Sequence, residues 1–306
     1  MSIQKIQMLP LIEASLVTFL WSTSYILIRI GLKEINPLAF AAYRYVIASL
    51  ILFFPFLYQL KKGRINKLSP KSVAIFVLLG FTGFFIAQGL QFFGLYFLNS
   101  ITVTFILNLT PIFVLGLSVF FLEERPSTLQ LMGIVLTLSG VVVFFYSALP
   151  DIRMINGVLI TLISGVGWAI YMIISRHYLG KNYENVMALT SISMFFGGLM
   201  LLSATIITGN IVNVSFNSWM IILWLSIVNT VVAFVLWNLA LRTLTAVEQS
   251  ILQNTMLIQI TILAIFFLQE TINAQKIVGM AIVFIGVLIV QLRPKKEKQA
   301  EIFRQA

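Results

Sequence analysis

Ten apolar runs, each about as long as a bilayer core is thick, limit what this chain can fold into. A hydrocarbon core about 30 Å thick takes roughly 20 apolar residues per helix. Runs of that kind fall at about 11–31, 37–58, 73–95, 99–121, 128–147, 156–176, 186–208, 217–240, 245–267 and 273–292. Short breaks separate most of them, among them Lys33-Glu34-Ile35-Asn36-Pro37, Glu123-Glu124-Arg125-Pro126 and Leu149-Pro150-Asp151. The longer loop 59–72 and the tail from Arg293 are too small to bury a core of their own. Within lipid an apolar segment satisfies its backbone by forming a helix, so the spacing predicts an all-α integral membrane protein with ten transmembrane helices. The first run is not a cleavable signal, since nine comparable runs follow it. Composition agrees: 59% of residues are hydrophobic and 10% charged, where soluble domains carry about 25% charged residues.

A formal charge of +10 suggests nucleic acid only where basic residues stud a polar, aromatic-dotted surface, and no such surface is written here. Basic residues in short loops instead set orientation. With the N-terminus placed in the cytoplasm, 15 Lys and Arg fall on the cytoplasmic side, including Lys61, Lys62, Arg64, Lys67 and Lys71 and the tail beyond Arg293. Three, Lys33, Arg153 and Lys276, fall on the outer side, and Arg29 and Arg44 lie within spans. The expectation is a multi-pass protein of the cell membrane with both termini cytoplasmic, whose basic loops touch anionic lipid head groups. No cysteine and a single histidine, His177 at the edge of span six, argue against disulfides, thiol chemistry and bound metal; no cofactor is expected.

The chain also matches itself. At a shift near 146, Phe120-Phe121-Leu122-Glu123-Glu124 meets Phe266-Phe267-Leu268-Gln269-Glu270, Asn108 meets Asn254, and Gly133 and Gly140 meet Gly279 and Gly286. At 147, Trp21 meets Trp168 and Arg29 meets Arg176. Each copy holds five spans. Five is odd, so the second copy threads the membrane upside down, an arrangement found in secondary transporters with the substrate site between the copies near the midplane. The predicted division is a first repeat over 11–147, a second, inverted repeat over 156–292 and a cytoplasmic basic tail over 293–306.

The run Leu20-Trp21-Ser22-Thr23-Ser24-Tyr25 resembles the first-helix signature of EamA-type members of the drug/metabolite transporter superfamily. So do Arg44-Tyr45-Val46-Ile47-Ala48, Pro111, and Glu124 followed by Gln130-Leu131-Met132-Gly133 and Gly140; Trp168, Glu270, Gly279 and Gly286 repeat the pattern. The resemblance spans about 11–292 and implies two inverted five-helix repeats around a cavity that opens alternately to each side. It also implies export or exchange of small metabolites such as amino acids. The copies differ, however: Thr255-Met256-Leu257 lacks a proline to match Pro111, and Thr190 and Ser191 stand where the first copy has Arg44. A chemically symmetric site is therefore not expected.

Several residues suit a substrate site. Trp21 and Trp168 sit mid-span rather than at the interfacial tryptophan belts, with Tyr25 and Tyr171 on the same helix faces; together they suit an aromatic wall or ordinary helix packing. Thr104 and Asn108, and Ser250 and Asn254, form related polar ladders that would either bind substrate or glue helices. Gln88, Gln91, Asn229, Gln249 and Gln253 carry amides that must face protein or water. Arg44 lies roughly 5 Å from the middle of its span at 1.5 Å per residue, where an arginine costs about 3 kcal/mol to insert. A backbone carbonyl, an outer-loop acid or a substrate carboxylate would each answer its charge. Glu13 and Glu248, near the cytoplasmic ends of spans one and nine, are the candidates for coupling to a proton or ion gradient; interfacial contact with water is the plainer alternative. Glu124 and Glu270 precede spans five and ten and are expected to cap those helices. The paired glycines suit internal packing or a dimer contact, and the glycines of span three suit a helix that bends or slides. Oligomeric state stays open.

The function expected on these grounds is a secondary transporter, not an enzyme, for a small polar or amphipathic molecule. No G-x-x-x-x-G-K-[ST] motif supports an ATP-driven pump. Intramembrane proteolysis would need a histidine or two aspartates within the spans, and Asp151, in a loop, is the only aspartate. A flippase-like carrier of a lipid-linked intermediate would use the same scaffold.

Overall fold

The computed structural model describes residues 2–63, 68–121, 127–146, 152–181, 186–244 and 246–291. These form ten helical rods: α1 (Ser2–Gly31), α2 (Pro37–Lys61), α3 (Pro70–Phe97), α4 (Ser100–Leu107 with Thr110–Phe121), α5 (Thr128–Phe145), α6 (Ile152–Lys181), α7 (Val186–Ile207), α8 (Phe216–Leu241), α9 (Ala246–Gln253 with Met256–Leu268) and α10 (Ala274–Gln291). The starts follow from local chemistry. Asn36 precedes Pro37 and its side chain accepts from the Leu38 N–H at 2.9 Å. Ser69 precedes Pro70 and accepts from Ser72, Asn99 accepts from Thr102, and Ser215 accepts from Ser218. Each side chain answers an N–H that the first helical turn leaves unpaired.

Seven of these rods contain stretches long and apolar enough to cross a membrane, and Leu131–Phe145, Met256–Leu268 and Ala274–Gly286 form shorter apolar segments in α5, α9 and α10. Large apolar side chains such as Phe54, Val135, Phe266 and Phe267 are exposed, whereas Arg44, Asn229, Asn238, Gln249 and Thr190 are buried. An apolar exterior around a polar-seeded interior is what a lipid solvent requires.

The two copies interlock. α1 packs on α8 and α9, and α6 packs on α3 and α4, the equivalent contacts of the other copy. α2 lies against α7 and α5 against α10. The first half of α4 touches the second half of α9, and the second half of α4 touches the first half of α9, so the two cross antiparallel, as inversion demands. At the α5–α10 contact a Cβ built on Gly140 would sit 2.8 Å from the Gly279 carbonyl, and one on Gly279 2.9 Å from that of Gly140. One on Gly286 would meet Thr137 Oγ1 at 2.6 Å and the Gly133 carbonyl at 2.8 Å. The paired glycines therefore serve internal packing: they let two backbones approach within the molecule.

Two features depart from the continuous spans read off the sequence. α4 turns at Asn108-Leu109 and α9 at Asn254-Thr255, where i−4 bonding gives way to i−3 bonds, Leu109 N–H to Ile106 and Thr255 N–H to Leu252. Only the first copy has a proline there, Pro111, so proline does not explain the shared turn. Wider π-helical turns run through Gly80–Gln88 in α3 and Ile227–Val232 in α8, again at equivalent places. In α3 the glycines fit the helix to its neighbours: a Cβ on Gly83 would fall 2.2 Å from the Tyr171 ring.

Candidate functional site

The two mid-span tryptophans meet at the centre of the bundle. Trp21 and Trp168 are edge to face with centroids 5.6 Å apart. Trp237 of α8 lies 4.8 Å and Phe234 5.2 Å from Trp21. Tyr171 stacks on Trp168 at 5.0 Å and 10°, and Phe84 of α3 and Tyr45 of α2 close the cluster through Phe234. All are buried. Tyr25 is buried too, within electrostatic reach of Tyr45 and Arg44. The sequence thus named the core of the cluster but not Trp237, Phe234 or Phe84, and it named Tyr45 only as part of a motif. An aromatic–aromatic contact adds about 0.5–1.5 kcal/mol beyond burial, so this centre is a packed aromatic joint between the repeats.

Arg44 is 2% exposed. Its Nε donates to Thr230 Oγ1 at 2.7 Å and its Nη2 to the Asn229 carbonyl at 3.1 Å. Its guanidinium carbon lies 5.3 Å from the Tyr45 ring centre and 6.0 Å from that of Phe92. Of the answers open to its charge, a backbone carbonyl is the one found. That carbonyl belongs to the π-helical segment of α8, and it also accepts from Trp21 Nε1 at 3.1 Å. The Asn229 side-chain amide bonds back to the Leu20 carbonyl and to Thr23 Oγ1, at 3.0 Å for the latter. Thr230 lay outside the sequence reading, although Asn229-Thr230 is an isolated polar pair in an apolar span and could have been marked.

The equivalent position in the second copy is neutral. Thr190 stands for Arg44, and Asn238, equivalent to Phe92, donates to Thr190 Oγ1 at 3.0 Å and to the Tyr171 hydroxyl at 2.9 Å. Asn238, eight residues beyond Thr230 in α8, also escaped the sequence reading.

The remaining candidates divide by partner. Gln88 accepts from the Tyr45 hydroxyl at 2.8 Å, Gln253 from Trp168 Nε1 at 2.8 Å, and Gln249 donates to the Trp237 carbonyl at 2.8 Å. Gln91 is buried in α3. Thr104 is spent on its own helix, donating to the Ser100 carbonyl, and Asn108 donates to the Thr104 carbonyl. Among the described residues, Asn108 Oδ1, Asn254 Nδ2, Asn229 Oδ1, Gln249 Oε1 and Trp237 Nε1 are buried without a hydrogen-bond partner. Glu13 is half-buried, within electrostatic reach of Arg242. The Glu248 side chain, Glu124 and the tail 293–306 lie outside the described residues.

One expectation about a charged residue changes. Glu270 does not cap α10; its carboxylate accepts from the Ser100 and Ile101 N–H groups at 2.8 and 3.1 Å, capping α4 of the other copy. Arg29 donates to the Leu95 carbonyl near the end of α3, and Arg176 to the equivalent Leu241 carbonyl near the end of α8. Each arginine thereby answers the electronegative end of a helix. At the end of the bundle carrying the α1–α2 and α7–α8 connections, Glu34 reaches across to Ser215 and Ser218. Asn36 meets Asn210, and Tyr43 meets the backbone of Val212.

The model of the EamA-like transporter family matches residues 8–146 and again 155–292. An uncharacterized transporter of Bacillus subtilis (strain 168), YoaV, is 26% identical over 281 residues, covering 89% of this chain and 93% of its own length. The S-adenosylmethionine/S-adenosylhomocysteine transporter of Chlamydia muridarum is 30% identical over 120 residues, 39% of this chain and 37% of its own. A solved crystal structure shares the fold with a TM-score of 0.70 at 16% identity, covering 92% of this chain and 97% of that one.

Proposed function

The chain belongs to the EamA-like transporter family, and from that premise we propose that it is a secondary transporter that exports or exchanges small amphipathic metabolites, such as amino acids, by alternating access. The observation that carries this reading is the pairing of irregular helices between the inverted copies. α4 and α9 turn at Asn108 and Asn254, and α3 and α8 widen at equivalent turns. A regular transmembrane helix already satisfies its own backbone, so interruptions are tolerated where protein or a polar cavity surrounds them. Buried polar atoms without partners, Asn108 Oδ1 and Asn254 Nδ2 among them, are groups that a substrate would satisfy on binding.

With the termini cytoplasmic, as the basic loops indicate, the Glu34–Ser215 end faces outward and this conformation is closed on that side. Opening outward would break the Glu34, Asn36 and Tyr43 contacts; opening inward would leave them intact. Glu13 and Glu248 remain the acids available for ion coupling.

Counterflow in proteoliposomes tests the reading. Internal substrate should accelerate uptake of its labelled form, and flux should saturate. Candidate substrates come from a thermal-shift screen against metabolites, repeated with Asn108→Ala. A compound that stabilises the parent and that variant alike would remove Asn108 from the site, and absence of counterflow for every stabilising compound would remove the carrier.

A further inference from the structure

Two donors from different helices converge on one oxygen. Arg44 Nη2 and Trp21 Nε1 each lie 3.1 Å from the Asn229 carbonyl, in the π-helical stretch of α8. A guanidinium and an indole N–H aimed at a single oxygen make the donor set that binds one oxygen of a carboxylate. The carbonyl is a neutral stand-in: it satisfies the hydrogen bonds but not the charge. Among the described residues Arg44 has hydrogen bonds only to Thr230 and Asn229 and two aromatic faces around it, and no carboxylate. Burying a cation without an anion is costly.

The second copy supplies an internal control. At the equivalent position Thr190 is held by Asn238 through a neutral hydrogen bond, and both residues are buried. The scaffold therefore does not require a charge at this place. Beside the convergence lies the buried aromatic cluster, with Trp237 4.8 Å and Phe234 5.2 Å from the Trp21 ring, whose rings are the neighbours an apolar or aromatic body entering there would meet.

We propose that Arg44 and Trp21 form the carboxylate subsite of the transported molecule, and that the Asn229 carbonyl occupies this subsite when no substrate is bound. The substrate class is then a carboxylic acid or zwitterion with an apolar or aromatic body, rather than an amine or a neutral nucleoside. Binding displaces the Asn229 carbonyl and removes one of the bonds that tie the wide turn of α8 to α1 and one of those that tie it to α2, which couples recognition to movement of that helix. The proposal rests on the transporter reading above and narrows it.

The test uses purified full-length protein and matched sets of one carbon skeleton: indole-3-acetate, indole-3-acetamide and tryptamine, and hexanoate, hexanamide and hexylamine. Thermal shift and tryptophan fluorescence report binding, since Trp21, Trp168 and Trp237 are the reporters at the site. Acids should bind, and bind at least tenfold more tightly than their amides and amines, the difference expected of a charged hydrogen bond. Arg44→Gln should abolish the preference. Trp21→Phe keeps a ring and loses one donor, so it should weaken acid binding several-fold while leaving the amides unchanged; it also keeps the test decisive if Arg44→Gln does not fold. Equal binding of acid and amide, or acid preference that survives both substitutions, overturns the subsite. An acid series that shifts neither readout overturns it as well, and counterflow of the neutral members then decides separately whether the transporter reading stands.

Discussion

Trp21 and Trp168, equivalent residues of the two inverted copies, touch each other edge to face at 5.6 Å in the middle of the bundle. Only residues close to a pseudo-two-fold axis can meet their own counterparts, so this contact marks where the axis passes. Their indole N–H groups go different ways, Trp21 to the Asn229 carbonyl and Trp168 to the Gln253 side chain. Similar scaffold and dissimilar chemistry meet there.

Gly140 tests the interlocking of the copies. Gly140→Leu places side-chain atoms against the α10 backbone, which cannot withdraw cheaply, and overpacking of this sort costs about 1–3 kcal/mol. The melting temperature in detergent should fall by several degrees. Gly116→Leu, with open space around its Cβ position, should change stability by no more than about 0.5 kcal/mol.

Glu34 carries a pH dependence. Hydrogen bonds from the Ser218 hydroxyl first, then from the Ser215 N–H and hydroxyl, hold its carboxyl below the usual value of 4.5. A depressed carboxyl contributes stability that is fully present above 4.5 and lost as pH falls through its lower folded value. The melting temperature of the parent should therefore drop more steeply below pH 4.5 than that of Glu34→Gln. Parallel curves for the two proteins would show that the contact contributes nothing.

Glu270 caps a helix of the opposite repeat. Glu270→Ala leaves the Ser100 and Ile101 N–H groups without their carboxylate and should cost about 0.5–2 kcal/mol, the usual value of a lost cap. Comparing chemical denaturation of the variant with that of the parent measures it. An unchanged midpoint would mean that water replaces the carboxylate without loss.

Asn238 joins Tyr171 and Thr190 across three helices. A double-mutant cycle of Asn238→Leu and Tyr171→Phe should return a coupling of about 0.6 kcal/mol and no more than about 1.7, the range of interhelical hydrogen bonds in membranes. Independent, additive effects of the two substitutions would break the link.

Much of this fold is legible in the sequence because its causes are local or repetitive. The boundaries of α2, α7 and α10 fall within a few residues of the runs read at 37–58, 186–208 and 273–292, since apolar length and the break residues Asn36-Pro37 decide them. The inverted repeat was visible because Trp21 and Trp168, Asn108 and Asn254, and the glycine pairs recur in order. Partner choice was not legible. Glu270 stands next to α10 in sequence yet caps α4, because once α9 crosses α4 antiparallel its end lies beside the start of α4. The turns at Asn108 and Asn254 were hidden because polar residues within a span mark no break by themselves, and only the first copy has a proline nearby.

What the sequence alone determined was the class of solvent, the number of runs and their symmetry, all sums over many residues in which no single contact matters. What only the tertiary structure decided was where each polar group finds its partner: Arg44 on the Asn229 carbonyl, Trp168 on Gln253, the paired glycines at α5–α10. Lipid offers no hydrogen bonds, so a buried donor that is paired has its acceptor inside the protein. That acceptor is set by the packing of helices distant in sequence.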